Sequence, residues 1–177
     1  MSKQLVVAYD ECWPLWFETI REYLSRFLES VPVSIEHVGS TAVCGMCAKP
    51  IIDIIVVIKK ESFLDVRLRL AKAGYVHQGD LGIVGREAFD LVDVDSKQNL
   101  PPHYLYVCSD DSDELMRQMR FRDFLRNSEE HRSRLSMLKM ELARKYDGDR
   151  KQYMAGKAMM VKEITQLAEK HFADHRK

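Results

Sequence analysis

Apolar positions change period twice in the first third of the chain. Trp16, Ile20, Tyr23, Leu24, Phe27, Leu28 and Val31 recur at three- and four-residue spacing, the core-facing stripe of an amphipathic helix. Pro14 suits the first turn of that helix, where the N–H it lacks would have no partner. After Pro32 the period shortens. Val33 to Val38 is a short run with β-branched residues, a Gly-Ser-Thr turn follows, and Ile51 to Ile58 is apolar except for Asp53, so two neighbouring strands are expected. Phe63, Val66, Leu70 and Ala73 then predict a second helix that Gly74 can end. Tyr75 to His77 and Glu87 to Val94 read as further strands, with Gly79, Gly82 and Gly85 marking tight turns in the loop between them.

Gln98 to Pro102 reads as a turn leading into a strand over His103 to Cys108. On that strand His103, Leu105 and Val107 share one face, while Tyr104 and Tyr106 share the other. Beyond Ser109 the pattern is helical: Asp113 to about Tyr146 and Arg150 to His171 carry apolar residues at helical spacing, with a break at Asp147-Gly148. The expected class is α+β, a mixed sheet flanked by helices with a helical C-terminal third at 113–173.

At 177 residues, 46% hydrophobic and 31% charged, the chain suits one globular domain spanning 1–177. Its 27 lysines and arginines balance its 27 aspartates and glutamates, so net charge gives no support to a nucleic-acid partner. The longest apolar run is too short to cross a bilayer and no signal pattern opens the chain, so a cytoplasmic location without membrane contact is expected. Four cysteines, Cys12, Cys44, Cys47 and Cys108, are then expected to be reduced thiols. Cys44-Gly45-Met46-Cys47 is a single C-x-x-C pair, which cannot complete a tetrahedral zinc site. The nine methionines read as core filler.

The most unusual string is Glu36-His37-Val38-Gly39-Ser40-Thr41. A strand ending in Gly-Ser-Thr presents backbone N–H groups and two hydroxyls where the chain turns, an arrangement suited to phosphate oxygens. His37 is either a second phosphate contact or a strand-end histidine bonded to backbone. Asp53 stands alone in its apolar strand, and a carboxylate so placed needs a cation, a metal or several donors. Lys49 or an arginine would meet that need without any function. Arg122 and Arg126, one helical turn apart, can both face the open end of the sheet, and Arg122 is not expected to pair with Asp123 because adjacent helix residues diverge. The charged helix around Glu129 to Arg132 and Arg144-Lys145 reads as a solvated face.

The stretch Ile35 to Val43, then Gly45, then Ala48-Lys49-Pro50-Ile51-Ile52-Asp53-Ile54 resembles the signature of the GrpB family of nucleotidyltransferase-like proteins. Gly74-Tyr75, Gly82-Ile83, Gly85-Arg86 with Phe89, the strand from His103 to Cys108, Phe121 to Arg126, and Tyr153 with Lys157 follow in that family's order, so the resemblance covers roughly residues 6 to 170. Cys44 stands where the family usually has proline.

The resemblance implies a nucleotidyltransferase-like fold in which the Gly-Ser turn holds a nucleoside triphosphate and an acidic pair on the next strand binds Mg²⁺. On this chain Gly39, Ser40 and Thr41 become the phosphate turn. Asp53 becomes metal ligand and catalytic carboxylate, and Mg²⁺ would orient the α-phosphorus and neutralise the leaving pyrophosphate. Lys49, Arg86, Arg122 and Lys157 are the candidate phosphate-binding cations, with His103 a candidate phosphate contact or proton carrier.

The acidic motif departs from the active pattern, which is Asp, apolar, then Asp or Glu. Here it is Asp53-Ile54-Ile55, so the position on the same strand face as Asp53 lacks its carboxylate. Glu36, Asp90, Asp93 and Asp95 are the alternatives from other strands. Three readings follow: a nucleotidyltransferase acting on a nucleotide or related phosphorylated small molecule, a non-catalytic nucleotide-binding or regulatory module, and a coenzyme-A-linked role, since in some proteins the family's domain is fused to dephospho-coenzyme A kinase.

Overall fold

The strand that carries Asp53 lies inside the sheet, with a neighbour on each side. In the computed structural model, which describes residues 5–146 and 149–174, β1 (Ser34–Val38) pairs antiparallel with β2 (Ile52–Ile58), and β2 pairs in parallel with β5 (His103–Ser109). β4 (Glu87–Leu91) and β3 (Tyr75–Gly79) extend the sheet to five strands in the order β1-β2-β5-β4-β3. The parallel β2–β5 pair requires a long crossover, and the chain makes it through α2 (Phe63–Lys72), β3 and β4.

Both faces of β2 are covered, which is why its sequence is apolar except at Asp53 rather than alternating. Ile52, Ile54, Val56 and Ile58 join Leu105 and Val107 in the main core, against Ile20, Leu24 and Leu28 of α1 (Cys12–Leu28) and Val66 and Leu70 of α2. On the opposite face Ile55 packs with Val38, Cys108 and Leu115, the last from α4 (Asp113–Asn127). α5 (Glu129–Lys145) and α6 (Arg150–Asp174) complete the helical C-terminal part, and with α4 they clasp the segment after the Gly-Ser-Thr turn: Val43 and Met46 pack with Leu125, Leu135 and Ile164.

The architecture is the expected α+β one, with local differences that have local causes. The strand beginning at Glu87 ends at Leu91, because the Asp93 carboxylate accepts the Ser96 N–H at 2.9 Å and starts a short helix, α3 (Val94–Asn99). The turn expected from Gln98 therefore begins inside a helix. The helical stretch from Asp113 is two helices parted at Ser128, whose backbone is extended. The expected Asp147-Gly148 break lies outside the described residues. α1 starts early enough to bury Trp13 completely and ends at Leu28, so Val31 packs from beyond the helix. Met137, Met154 and Met159 are exposed, so methionine is not uniformly core filler here.

Candidate functional site

Gly39 brings the turn onto the strand. Its φ is +71°, and a Cβ built there would lie 2.3 Å from Asp53 Oδ2, so both the backbone conformation and the close approach call for glycine. Val38 lies directly opposite Asp53 in the β1–β2 register, and Ser40 opens a single 3-10 turn, Ser40–Ala42, that carries its hydroxyl to the same end of the sheet. Asp53 is thereby set at the floor of a cavity of about 210 Å³.

Ser40 and Thr41 line that cavity from the turn, and Lys49 from the loop before β2. Tyr104 and Tyr106 line it from β5, where Tyr104 is the register partner of Asp53. The helices supply the remaining charge: Lys139 from α5, and Arg150, Tyr153 and Lys157 from one face of α6 at three- and four-residue spacing. The Lys49 and Lys157 ammonium groups lie 5.5 Å and 5.0 Å from the Tyr153 ring centre, so one aromatic ring serves as platform for two cations.

Lys139 is the centre of this arrangement and is absent from the residues chosen on sequence. It is 4% exposed, and its ammonium donates to Ser40 Oγ and to the Cys47 carbonyl, the latter at 3.3 Å. Burial, then the charge of Lys157, holds its pKa down to about 7, although Asp53 pulls the other way. Asp53 shows the complement: burial pushes its carboxyl up to about 6 in spite of Lys139, Lys157 and Arg86. Burial and a neighbouring cation also lower Lys157 and Lys49 from the ordinary lysine value. The signal for Lys139 was present, since Leu135, Lys139, Leu142 and Ala143 are the buried stripe of α5 and one of the four is a lysine. Arg150 carried no comparable mark.

Of the residues chosen on sequence, the fold gathers Ser40, Thr41, Lys49, Asp53 and Lys157 around the cavity, with Gly39 behind them. His103 goes elsewhere. It is the register partner of Ile52, on the strand face opposite Asp53, and both ring nitrogens are occupied: Nδ1 donates to the Pro101 carbonyl at 2.7 Å and Nε2 meets the Tyr75 hydroxyl at 2.7 Å. Its place is structural. Arg122 is likewise removed from the cavity, because its guanidinium bonds Glu36 at 2.9 Å, the His37 carbonyl at 3.0 Å and both oxygens of Asp123. Contrary to the expectation for adjacent helix residues, its long side chain folds back far enough to meet Asp123 at 2.7 Å. Arg86 stands behind the wall, with its guanidinium 4.1 Å over the Tyr106 ring, and acts on Asp53 only as a nearby charge. His37 stacks on Phe17 and bonds the Thr41 hydroxyl at 2.9 Å, and so buttresses the turn from outside the cavity lining.

The alternative carboxylates are also placed. Glu36 is held by Arg122, Asp93 caps α3, and Asp90 and Asp95 are exposed away from the cavity lining. Cys44 is exposed whereas the Cys47 thiol is buried against the Ser136 carbonyl, so the C-x-x-C pair does not converge. Among the described residues no group of three or more His, Cys, Asp or Glu side chains could hold a metal ion, and no helix is long and apolar enough to cross a membrane.

The GrpB family model, described as GrpB protein, matches residues 4–167. The chain belongs to the GrpB family. The glutamate-rich protein GrpB of Alkalihalophilus pseudofirmus is 33% identical over 164 residues, covering 90% of this chain and 92% of that one. The UPF0157 protein YqkA of Bacillus subtilis is 27% identical over 166 residues, covering 93% of this chain, which spans only 47% of that protein's length. The crystal structure of the conserved GrpB protein from Enterococcus faecalis superimposes with a TM-score of 0.80 at 27% identity, over 94% of this chain and 98% of that one. A Cid1 poly(U) polymerase structure bound to MgATP superimposes with a TM-score of 0.55 at 11% identity, over 80% of this chain and 44% of that one, which shows the nucleotidyltransferase-like fold.

The Mg²⁺ that this fold implies does not suit the donor set of the cavity. A divalent ion of this kind keeps several waters and takes one or two carboxylates together with phosphate oxygens, in surroundings whose charge it does not oppose. The lining offers one carboxylate, Asp53, and places four cationic side chains around the same space.

Proposed function

We propose that this GrpB-family chain binds a nucleoside triphosphate or a related phosphorylated small molecule, with the phosphates in the cavity bounded by Ser40, Asp53, Lys139 and Lys157. The observation that carries this reading is the charge of the lining: Lys49, Lys139, Arg150 and Lys157 surround a single carboxylate, and the Ser40 hydroxyl, held by Lys139, lies among them. At about 210 Å³ the space is smaller than the usual drug-sized pocket and suits a phosphate chain, leaving the rest of the ligand at the mouth beside Tyr104 and Met154, which are 40% and 46% exposed. On this reading the chain is a binding or regulatory module built on a nucleotidyltransferase-like fold. Nucleotidyl transfer is the second reading, favoured by one feature, the approach of the Gly39-Ser40 turn to Asp53. Ile55, sealed in the core beneath α4, weighs against it.

Thermal shift with each nucleoside triphosphate, pyrophosphate, coenzyme A and dephospho-coenzyme A tests the reading. Binding to the folded state raises the melting temperature as ligand concentration exceeds Kd. Stabilisation by a phosphorylated compound that is lost in Lys157→Met is the expected outcome. Stabilisation by none of them, or stabilisation unchanged in Lys157→Met, contradicts it.

A further inference from the structure

We propose that the ligand of this cavity is a short polyphosphate chain in its metal-free form, with the buried Lys139 ammonium standing in for the divalent cation. The inference rests on the reading of the cavity as a phosphate site and goes beyond it by stating which form of the phosphate is bound.

The strand face that holds Asp53 has no place left for a second metal ligand. Its register neighbours are Val38 on β1 and Tyr104 on β5. Two residues along β2 on the same face is Ile55, which is fully buried and packed against Cys108 and Leu115, so neither a water nor a ligand oxygen reaches that position. Ile55 in turn sits between Glu36 and Tyr106 in register. Glu36 is the one carboxylate there, and it is bonded to Arg122.

A cation is nevertheless built into the site. Lys139 reaches in from α5 and bonds the Ser40 hydroxyl, the side chain that the turn presents to the cavity. An ammonium fixed on the hydroxyl of the phosphate turn and the Cys47 carbonyl, in the same lining as the strand carboxylate, neutralises a phosphate oxygen as a point charge and donates to it, the two services a bound divalent ion would give here. It also changes which ligand is favoured. Lys49, Arg150 and Lys157 already leave the lining with an excess of positive charge, so a free polyanion is attracted, whereas a Mg²⁺ complex brings in two more positive charges against a single carboxylate, Asp53. Mg²⁺ in solution therefore competes with the protein for the same phosphate oxygens.

Calorimetric titration of pyrophosphate into the intact chain decides the matter, run once with EDTA and once with Mg²⁺ in excess over pyrophosphate at matched ionic strength. Binding in EDTA that weakens at least tenfold with Mg²⁺, together with loss of the EDTA binding in Lys139→Met, is the expected result. Circular dichroism melting establishes that Lys139→Met is folded, and Lys139→Arg, which keeps the charge, is expected to retain part of the affinity. Binding that requires Mg²⁺ or tightens with it overturns the inference and leaves the phosphate reading standing, as does undiminished EDTA binding in Lys139→Met. Absence of pyrophosphate binding in both conditions overturns the inference, and the phosphate reading then falls only if the nucleotides and coenzyme A compounds also fail to stabilise the chain.

Discussion

Lys139 occupies a position in α5 that helical spacing assigns to the core, and a lysine there carries a desolvation penalty that an apolar residue would not. Its pKa, held down to about 7, expresses that penalty as a pH dependence. A lysine whose folded value lies below its unfolded one costs stability wherever the unfolded chain takes up the proton more readily, so stability is gained as pH rises from about 7 towards the ordinary lysine value. Lys139→Met is accordingly expected to raise unfolding stability by about 1–3 kcal/mol in urea titrations at neutral pH, the opposite of its effect on ligand affinity. Gly39→Ala runs the other way. The added methyl meets Asp53 and the backbone stays at positive φ, so a loss of about 2–4 kcal/mol is expected in the same measurement.

His37 gives a second pH signature with a different window. Burial, then the charges of Arg126 and Arg122, lowers it from 6.5 to about 4, so the folded protein keeps it neutral while the unfolded chain protonates. Its contribution is fully present above 6.5 and is lost as pH falls towards 4. The difference in stability between wild type and His37→Gln should shrink across that window, by on the order of 3 kcal/mol in chemical denaturation. A difference that does not change with pH would contradict the buried neutral state. Residue by residue, the glycine turn, Asp53, Lys49 and Lys157 were legible because motif and spacing mark them. Lys139 was legible only as a lysine within an apolar stripe. His103 misled because it belongs to a strand whose neighbouring positions do line the cavity, and side-chain alternation decided against it.

Among the elements, α4 is tied to β1 by Arg122, which joins Glu36 and the His37 carbonyl to Asp123. Removing the guanidinium takes the donor from the partly buried Glu36 carboxylate and the His37 carbonyl, and leaves Asp123 with the longer contact from Arg126 at 3.4 Å. Arg122→Met is expected to destabilise the fold by about 2–3 kcal/mol in urea unfolding while the folded protein keeps its phosphate affinity. A specific loss of affinity with unchanged stability would return Arg122 to the binding site. Elements with strong periodicity, α1, α2, β2 and β5, stood out in the sequence, because burial on one or both faces imposes a pattern. α3 did not, because a six-residue helix begun by one aspartate cap leaves no period to read. The separation of α4 from α5 was hidden for a related reason: a single extended residue, Ser128, divides two helices of like composition. α6 acts as a unit, since Arg150, Tyr153 and Lys157 reach the cavity from one face, so the site exists only when that helix is docked.

Over the whole molecule, equal numbers of acidic and basic residues conceal a local excess of positive charge at one end of the sheet. Net charge could not reveal it, because three separated segments, Lys49, Lys139 and the Arg150–Lys157 face, converge only on folding. The family and the sheet were legible from a continuous motif. The charge of the cavity required the tertiary structure, which sets the buried Lys139 in the same lining as Asp53. The most direct test is a crystal structure of the chain grown with pyrophosphate in the presence of EDTA. Phosphate oxygens are expected within ion-pair distance of Lys139 and Lys157 and beside Ser40, with no metal between them and Asp53. Pyrophosphate bound outside this cavity, or appearing there only when Mg²⁺ bridges it to Asp53, would contradict it.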